Sequence, residues 1–167
     1  MTACNFGGES ERLKALQRYE VLDSAPEEAF DRITRVVKSV LGMPMVAVSL
    51  VDLDRQWFKS RHGFDATETK RDISFCTYTI QDTKPLIVRD ALEDPRFANS
   101  PLVQDTPHIR FYAGVPLRTK DGHNIGALCA MDTKPRGLSA EQITLLQDLA
   151  RIVVDELELR LLTERTA

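Results

Sequence analysis

Eight side chains from the middle of the sequence, Trp57, Phe75, Cys76, Tyr78, Asp90, Phe97, Arg110 and Tyr112, join aromatic rings to a thiol, a carboxylate and a guanidinium. Apolar walls with a few oriented polar groups are how small-molecule pockets are built, so these eight form the candidate ligand site, with Phe58 and Phe111 beside them. The same rings would serve equally well as core filling, with Arg110 tied to Asp90 or Asp94 as a structural ion pair. Both readings stand at the level of sequence.

Covalent or metal chemistry has less to work with. A nucleophilic cysteine needs a cation or a helix N-terminus to lower its pKa and a base within reach. Cys76 opens a helical turn and is the better candidate, although a small buried thiol is its ordinary description. Cys129 lies among apolar strand neighbours and reads as core. With Cys4 these make three isolated cysteines, which fits reduced thiols and gives neither a disulfide framework nor paired metal spacing. His62, His108 and His123 lie far apart without a second ligand at helical spacing, so no metal site is expected. Asp52 and Asp54 read as turn residues. Gly114, Gly122 and Gly126 lack the spacing of a phosphate-binding loop, and there is no Gly-x-Ser-x-Gly elbow. No catalytic residue is assigned.

The elements that must position the pocket follow from periodicity. Ile109–Asp132 contains two apolar, β-prone runs joined through Asp121-Gly122, the strongest short-range hairpin signal, and a ribbon this apolar must be covered on both faces. Met45–Val51 is a valine-rich run too short for a helix and reads as a buried strand, with Gln56–Arg61 as its hairpin partner. Before them come an amphipathic helix over Glu9–Leu22 and a second helix after a Ser24…Glu27 capping box, with Phe30, Ile33, Val37, Val40 and Leu41 on one face and Gly42 and Pro44 as its stop. Between His62 and His108 the pattern breaks: a polar loop to Arg71, a helical turn near Ser74–Gln81, a strand at Leu86–Arg89 and a turn around Asp94–Ala98. Irregular stretches of this kind are where binding concentrates. Ser139…Gln142 is a second capping box, opening a long helix to about Thr163. That helix carries one apolar stripe through Ile143, Leu146, Ala150, Val153 and Leu157 and another through Leu145, Leu149, Ile152 and Leu159. A single sheet-facing stripe needs only the first set, so a second helix from another copy is expected on the rest.

This order describes an α+β domain whose antiparallel sheet is covered by helices from both ends of the chain. The 167 residues fit one domain, and the formal net charge of −3 argues against a nucleic-acid partner or an anionic membrane surface. No apolar run reaches the ~18–20 residues of a spanning helix, and Met1–Ser10 has no signal-peptide pattern. No membrane insertion and a cytoplasmic location are expected.

The phrases ERLKALQRYEVLDSAPEEAFDRI, SFCTYTI, LIVRDALEDPRFANSPLV, IRFYAGVPL, IGALCAMDTKPRGLSAEQ and LQDLARIVVDELELR, in that order, resemble a GAF domain of the type at the N-terminus of bacterial sensor histidine kinases and diguanylate cyclases. The resemblance implies a central antiparallel sheet of about six strands, with N- and C-terminal helices packed on one face and an irregular pocket roof on the other. It divides the chain into a disordered N-terminus at 1–8, the domain at 9–158, and a C-terminal extension of the last helix at 159–167. It implies signal transduction in a two-component or cyclic di-GMP system: a small molecule of unknown identity is bound, and its occupancy is relayed through the C-terminal helix to a kinase or cyclase module. The second apolar stripe and the leucine-rich end of the last helix point to a homodimer through the terminal helices, with Leu145, Ile152, Leu159 and Leu162 on the signalling seam. Neither a covalent bilin nor haem is expected: bilin-binding relatives follow their cysteine with histidine, whereas Cys76 is followed by Thr77. A ligand-free dimerisation scaffold is the alternative, and a thiol-dependent reductase of free methionine sulfoxide using Cys76 ranks last.

Overall fold

Two β-hairpins make the centre of the fold in the computed structural model, which describes residues 6–166. β1 (Met45–Val51) turns into β2 (Arg55–His62), and β5 (Phe111–Arg118) turns into β6 (Asn124–Asp132). Gly122 adopts φ 87° in the second turn, the left-handed conformation that the Asp-Gly pair announces. β1 pairs with β6, joining the hairpins, and the short strands β3 (Glu68–Lys70) and β4 (Leu86–Val88) close the edges. The result is a six-stranded antiparallel sheet in the order β3-β2-β1-β6-β5-β4.

Alternation along the central strands divides their side chains between two cores. Val46, Val48, Leu50, Phe111, Ala113, Val115 and Leu117 face one way, into a core shared with the helices α1 (Phe6–Arg18), α2 (Glu28–Leu41) and α5 (Ala140–Thr166). Phe30, Ile33, Val37 and Leu41 of α2 and Leu146, Ala150, Val153 and Leu157 of α5 supply its other half, as their spacing predicts. Met45, Ala47, Tyr112, Ala127, Cys129 and Met131 face the other way, beneath the irregular middle with its short helices α3 (Cys76–Thr79) and α4 (Pro101–Gln104).

A β-bulge interrupts the first hairpin. Val48 pairs with Ser60 and Ser49 with Phe58, which leaves Lys59 without a partner on β1. The extra residue turns Lys59 toward the helices, where its side chain is fully buried. Its ammonium donates to Glu27 Oε2 at 2.6 Å, Ser24 Oγ at 2.8 Å and the Ala25 carbonyl at 2.6 Å. Glu27 Oε2 also accepts from Arg160 Nε of α5 at 2.7 Å, and Arg160 donates to the carbonyls of Tyr19 and Glu20.

That network corrects one expectation. Ser24 and Glu27 form no capping box: Ser24 hydrogen-bonds back to the Val21 carbonyl, and Glu27 stands at the cap position with no side-chain cap bond. Its carboxylate is held by two cations instead. The Ser139 box does form, with Ser139 Oγ accepting from the Gln142 N–H at 3.1 Å and Gln142 Oε1 from the Ser139 N–H at 2.9 Å. Gly42 ends α2 at φ 64°, but Val40 points outward and is exposed. α1 stops at Arg18, short of Leu22, and the chain reverses through positive φ at Glu20 and Asp23. Of the stretch 1–8 expected to be disordered, residues 1–5 lie outside the described residues, and Phe6–Gly8 are already the first turn of α1. The stretch drawn as an extension at 159–167 is part of α5 as far as Thr166, and Ala167 lies outside the described residues.

Candidate functional site

The roof-side face of the sheet is laid out in rows. Met45, Met131 and Tyr112 stand side by side across β1, β6 and β5, and Ala47, Cys129 and Gly114 form the adjacent row. A cavity of about 280 Å³ lies above them. Its floor is Met45, Gln56, Phe58, Tyr112, Cys129 and Met131. Its walls and lid are Phe64, Ala66, Thr69, Phe75 and Cys76 on one side and Leu102, Thr106, Pro107 and Ile109 on the other. No lining residue is charged. The polar lining is tied into the protein: Ser49 Oγ donates to Gln56 Oε1 at 2.8 Å, and Gln56 Nε2 donates to Thr69 Oγ1 at 2.9 Å.

Of the eight side chains picked out by type, Phe75, Cys76 and Tyr112 line this cavity. Phe97 stacks on the back of Phe75 with ring centroids 4.3 Å apart, supporting the lid without lining it. Tyr78 lies over the outside of Phe97, half exposed, with Arg96 above both rings. Trp57 is on the opposite face, in the helix-side core, and its neighbour Phe58 takes the cavity position. Asp90 caps a single 3₁₀ turn by accepting from the Leu92 N–H at 3.1 Å. Arg110 donates to the carbonyls of Val103 at 2.8 Å and Ile109 at 3.1 Å, so it fastens the roof to β5. It pairs with neither Asp90 nor Asp94; the latter takes Arg96.

Cys129 is buried in the roof-side core, as its apolar neighbours predict, and it also lines the cavity beside Cys76. Tyr112 explains the juxtaposition. Its ring leans along β5 over Gly114, so closely that a Cβ at Gly114 would overlap the tyrosine hydroxyl. That hydroxyl lies 3.2 Å from Cys76 Sγ and 2.8 Å from Thr79 Oγ1 of α3, and Gly114 is the cross-strand partner of Cys129. Burial alone would push the Cys76 thiol up. The Cys129 thiol and the hydroxyls of Ser49, Tyr112 and Ser74 converge on it and outweigh burial, holding Cys76 below the ordinary thiol range. Cys129 is pushed well above that range by its contact with Cys76 and by burial. Tyr112 rises by burial and by the adjacent sulfurs. Ser74 Oγ, fully buried, faces Cys76 without completing a hydrogen bond of ordinary geometry to any group.

On the other side of the molecule, α2 and α5 leave Val36, Val40, Ile152, Leu159 and Leu162 exposed, while Leu145 is half buried. Among the described residues no three His, Cys, Asp or Glu side chains converge as metal ligands. No described helix is long and apolar enough to cross a membrane.

Comparison with known proteins puts this geometry in context. The GAF domain model matches residues 25–157. A cyclic di-GMP phosphodiesterase of Pseudomonas aeruginosa is 40% identical over 147 residues; the match covers 87% of this chain, which spans 25% of that protein's length. Among solved structures, the GAF domain of an Acinetobacter phosphoenolpyruvate-protein phosphotransferase superposes with a TM-score of 0.67 at 15% identity, covering 90% of this chain and 92% of that one. Free methionine-R-sulfoxide reductase from Neisseria meningitidis, solved with its substrate, gives 0.64 at 20% identity over 86% and 85% of the two chains.

Proposed function

The chain belongs to the GAF domain family, and from that premise we propose that it is a sensory input domain: a small molecule occupies the roofed cavity, and its presence is relayed through α5 to an output module. The observation that carries this reading is the 280 Å³ cavity itself, bounded by one face of the sheet and the irregular middle of the chain. A vestigial scaffold would have that space filled. The lining sets the ligand class. With no charged side chain to balance it, a phosphate or carboxylate group would lose its hydration uncompensated, so the guest is neutral and largely apolar, oriented by the Gln56 amide, Thr69 and the Tyr112 hydroxyl.

A contiguous set of contacts supports the relay. Phe58 lines the cavity, the next residue is the bulged Lys59, Lys59 grips Glu27, and Glu27 grips Arg160 on α5. A ligand that binds one arrangement of this chain of contacts better than another shifts the population of α5 positions. The exposed Val36, Val40, Ile152, Leu159 and Leu162 support a second copy docking along α2 and α5, which makes α5 one of a pair of signalling helices. The phosphodiesterase relative supports an output that degrades cyclic di-GMP; a cyclase or a kinase in the cytoplasm is the other output of this reading.

Native mass spectrometry of the protein purified from its own host tests the reading. A retained neutral small molecule is expected in the wild type and in Trp57→Phe, and its loss is expected in Phe58→Trp, which fills the cavity. An empty wild type, or retention in Phe58→Trp equal to that in the wild type, overturns it.

A further inference from the structure

The cavity presents two thiols to whatever enters it, and ligand occupancy alone makes no use of them. Cys76 and Cys129 come from different layers, α3 of the roof and the middle of β6, and both line the same space. The Tyr112 hydroxyl is 3.2 Å from Cys76 Sγ and lies over Gly114, the cross-strand neighbour of Cys129, and the two thiols are close enough to interact directly. Around Cys76 the arrangement is asymmetric. Tyr112 reaches it with an O–H, and the buried Ser74 hydroxyl faces it with no other partner, so both can turn a hydrogen toward a developing negative charge on sulfur. Cys129 instead turns its S–H toward the Ala47 carbonyl, 3.7 Å away, an acceptor that favours the protonated thiol.

We propose that Cys76 and Cys129 form an oxidant-responsive thiol pair, in which Cys76 is the nucleophile toward a small neutral hydroperoxide admitted by the cavity and Cys129 is the resolving thiol. In the first step the Cys76 sulfur, having released its proton, attacks one peroxide oxygen. An S–O bond forms, the O–O bond breaks, and the leaving oxygen takes up the released proton as water or an alcohol. The peroxide is reduced by two electrons and Cys76 is oxidised to the sulfenic acid. In the second step the Cys129 sulfur attacks the Cys76 sulfur. The S–S bond forms, the S–O bond breaks, and the hydroxyl leaves as water with the Cys129 proton. The peroxide and two thiols become an alcohol or water, one further water and a disulfide, with no other reactant. A neutral oxidant suits an uncharged lining, and full burial of both sulfurs restricts access to molecules that fit the cavity. The disulfide ties α3 to β6 and shortens the roof-to-floor distance, so oxidation is a second input distinct from ligand binding, and the inference does not depend on the sensory reading.

The experiment uses the full chain in a Cys4→Ser background, so that only the two cavity thiols remain. The folded protein is treated with near-stoichiometric hydrogen peroxide or cumene hydroperoxide, quenched, denatured in alkylating reagent, and analysed by intact mass and peptide mapping. The expected result is a mass lower by two hydrogens, with both cysteines protected from alkylation and their peptides linked. Cys129→Ala is expected to stop at a one-oxygen adduct on Cys76 that dimedone traps, and Cys76→Ala to give neither product. Tyr112→Phe is expected to slow the first step. Circular dichroism checks that each variant is folded, and if one is not, the wild-type peptide map decides. Full alkylation of both thiols after oxidant overturns the proposal, as does linkage that appears only in denatured protein. Reduced thiols in a protein that retains its host molecule sink this inference and leave the sensory reading intact; linked thiols in a protein that retains nothing do the reverse.

Discussion

Replacing Glu27 by glutamine isolates the ammonium of Lys59 inside the protein. The Lys59 side chain has no solvent exposure, and at 2.6 Å its attraction to Glu27 is worth about 6 kcal/mol at an effective dielectric near 20, before hydration is counted. Most of that offsets the loss of water around the ammonium. Breaking a buried pair by removing one partner typically costs about 3–5 kcal/mol; because Glu27 keeps 37% of its side-chain exposure, the expected cost of Glu27→Gln is about 2–4 kcal/mol. Lys59→Met removes the stranded charge, and in that background Glu27→Gln should cost only about 1 kcal/mol or less, for the weakened Arg160 contact. The assay is urea unfolding followed by far-UV circular dichroism on all four proteins of the cycle. A Glu27→Gln midpoint equal to wild type, or the same cost in both backgrounds, would refute the reasoning.

Glu9 is a pH-dependent link between α1 and the loop after β3. Burial pushes its carboxyl up, but hydrogen bonds from Arg12 and Arg71 outweigh that and hold it at about 2, against an ordinary 4.5. Because the folded pKa is depressed, its contribution is present above pH 4.5 and lost as the pH falls toward 2, and Glu9→Gln should flatten the stability profile in that window. Gly114→Ala should swing Tyr112 off Cys76 and Thr79, lowering stability by about 2–4 kcal/mol, and much of the loss should vanish in a Tyr112→Leu background; equal cost in both would show that the ring is not the obstacle. Ser139→Ala should cost about 1 kcal/mol through the opened capping box, measured as a fall in the urea midpoint with no change in slope.

The parts of the fold readable in the sequence are those fixed by local chemistry. Asp121-Gly122 places the hairpin, Gly42 ends α2 and Ser139 starts α5, because each conformation depends only on residues within a few positions. β1 was legible because seven consecutive buried residues leave one interpretation. The choice between Trp57 and Phe58 was not, since β2 is buried on both faces and its phase is set by the bulge at Lys59, a property of the pairing with β1. Glu27 carries a capping-box pattern, but cations 32 and 133 residues away claim it. β3 and α4, at three and four residues, are too short for periodicity to show. Cys129 has the neighbours of a core residue and is one; only the register with Gly114 and the lean of Tyr112 reveal that a second thiol stands opposite. A glycine facing a tyrosine two residues earlier on the same strand face was the signal available.

The 27 residues of α5 form a rod about 40 Å long, whereas the longest strand beneath it, at nine residues, spans about 30 Å. Tethered by Arg160 near one end and by buried leucines along its middle, such a rod acts as a pointer: a tilt of about 5° about its start moves the far tip by about 3–4 Å, more than half a helical turn. On the proposed sensory reading, sub-ångström adjustments around a small guest would be displayed at a place and on a scale that another polypeptide can read.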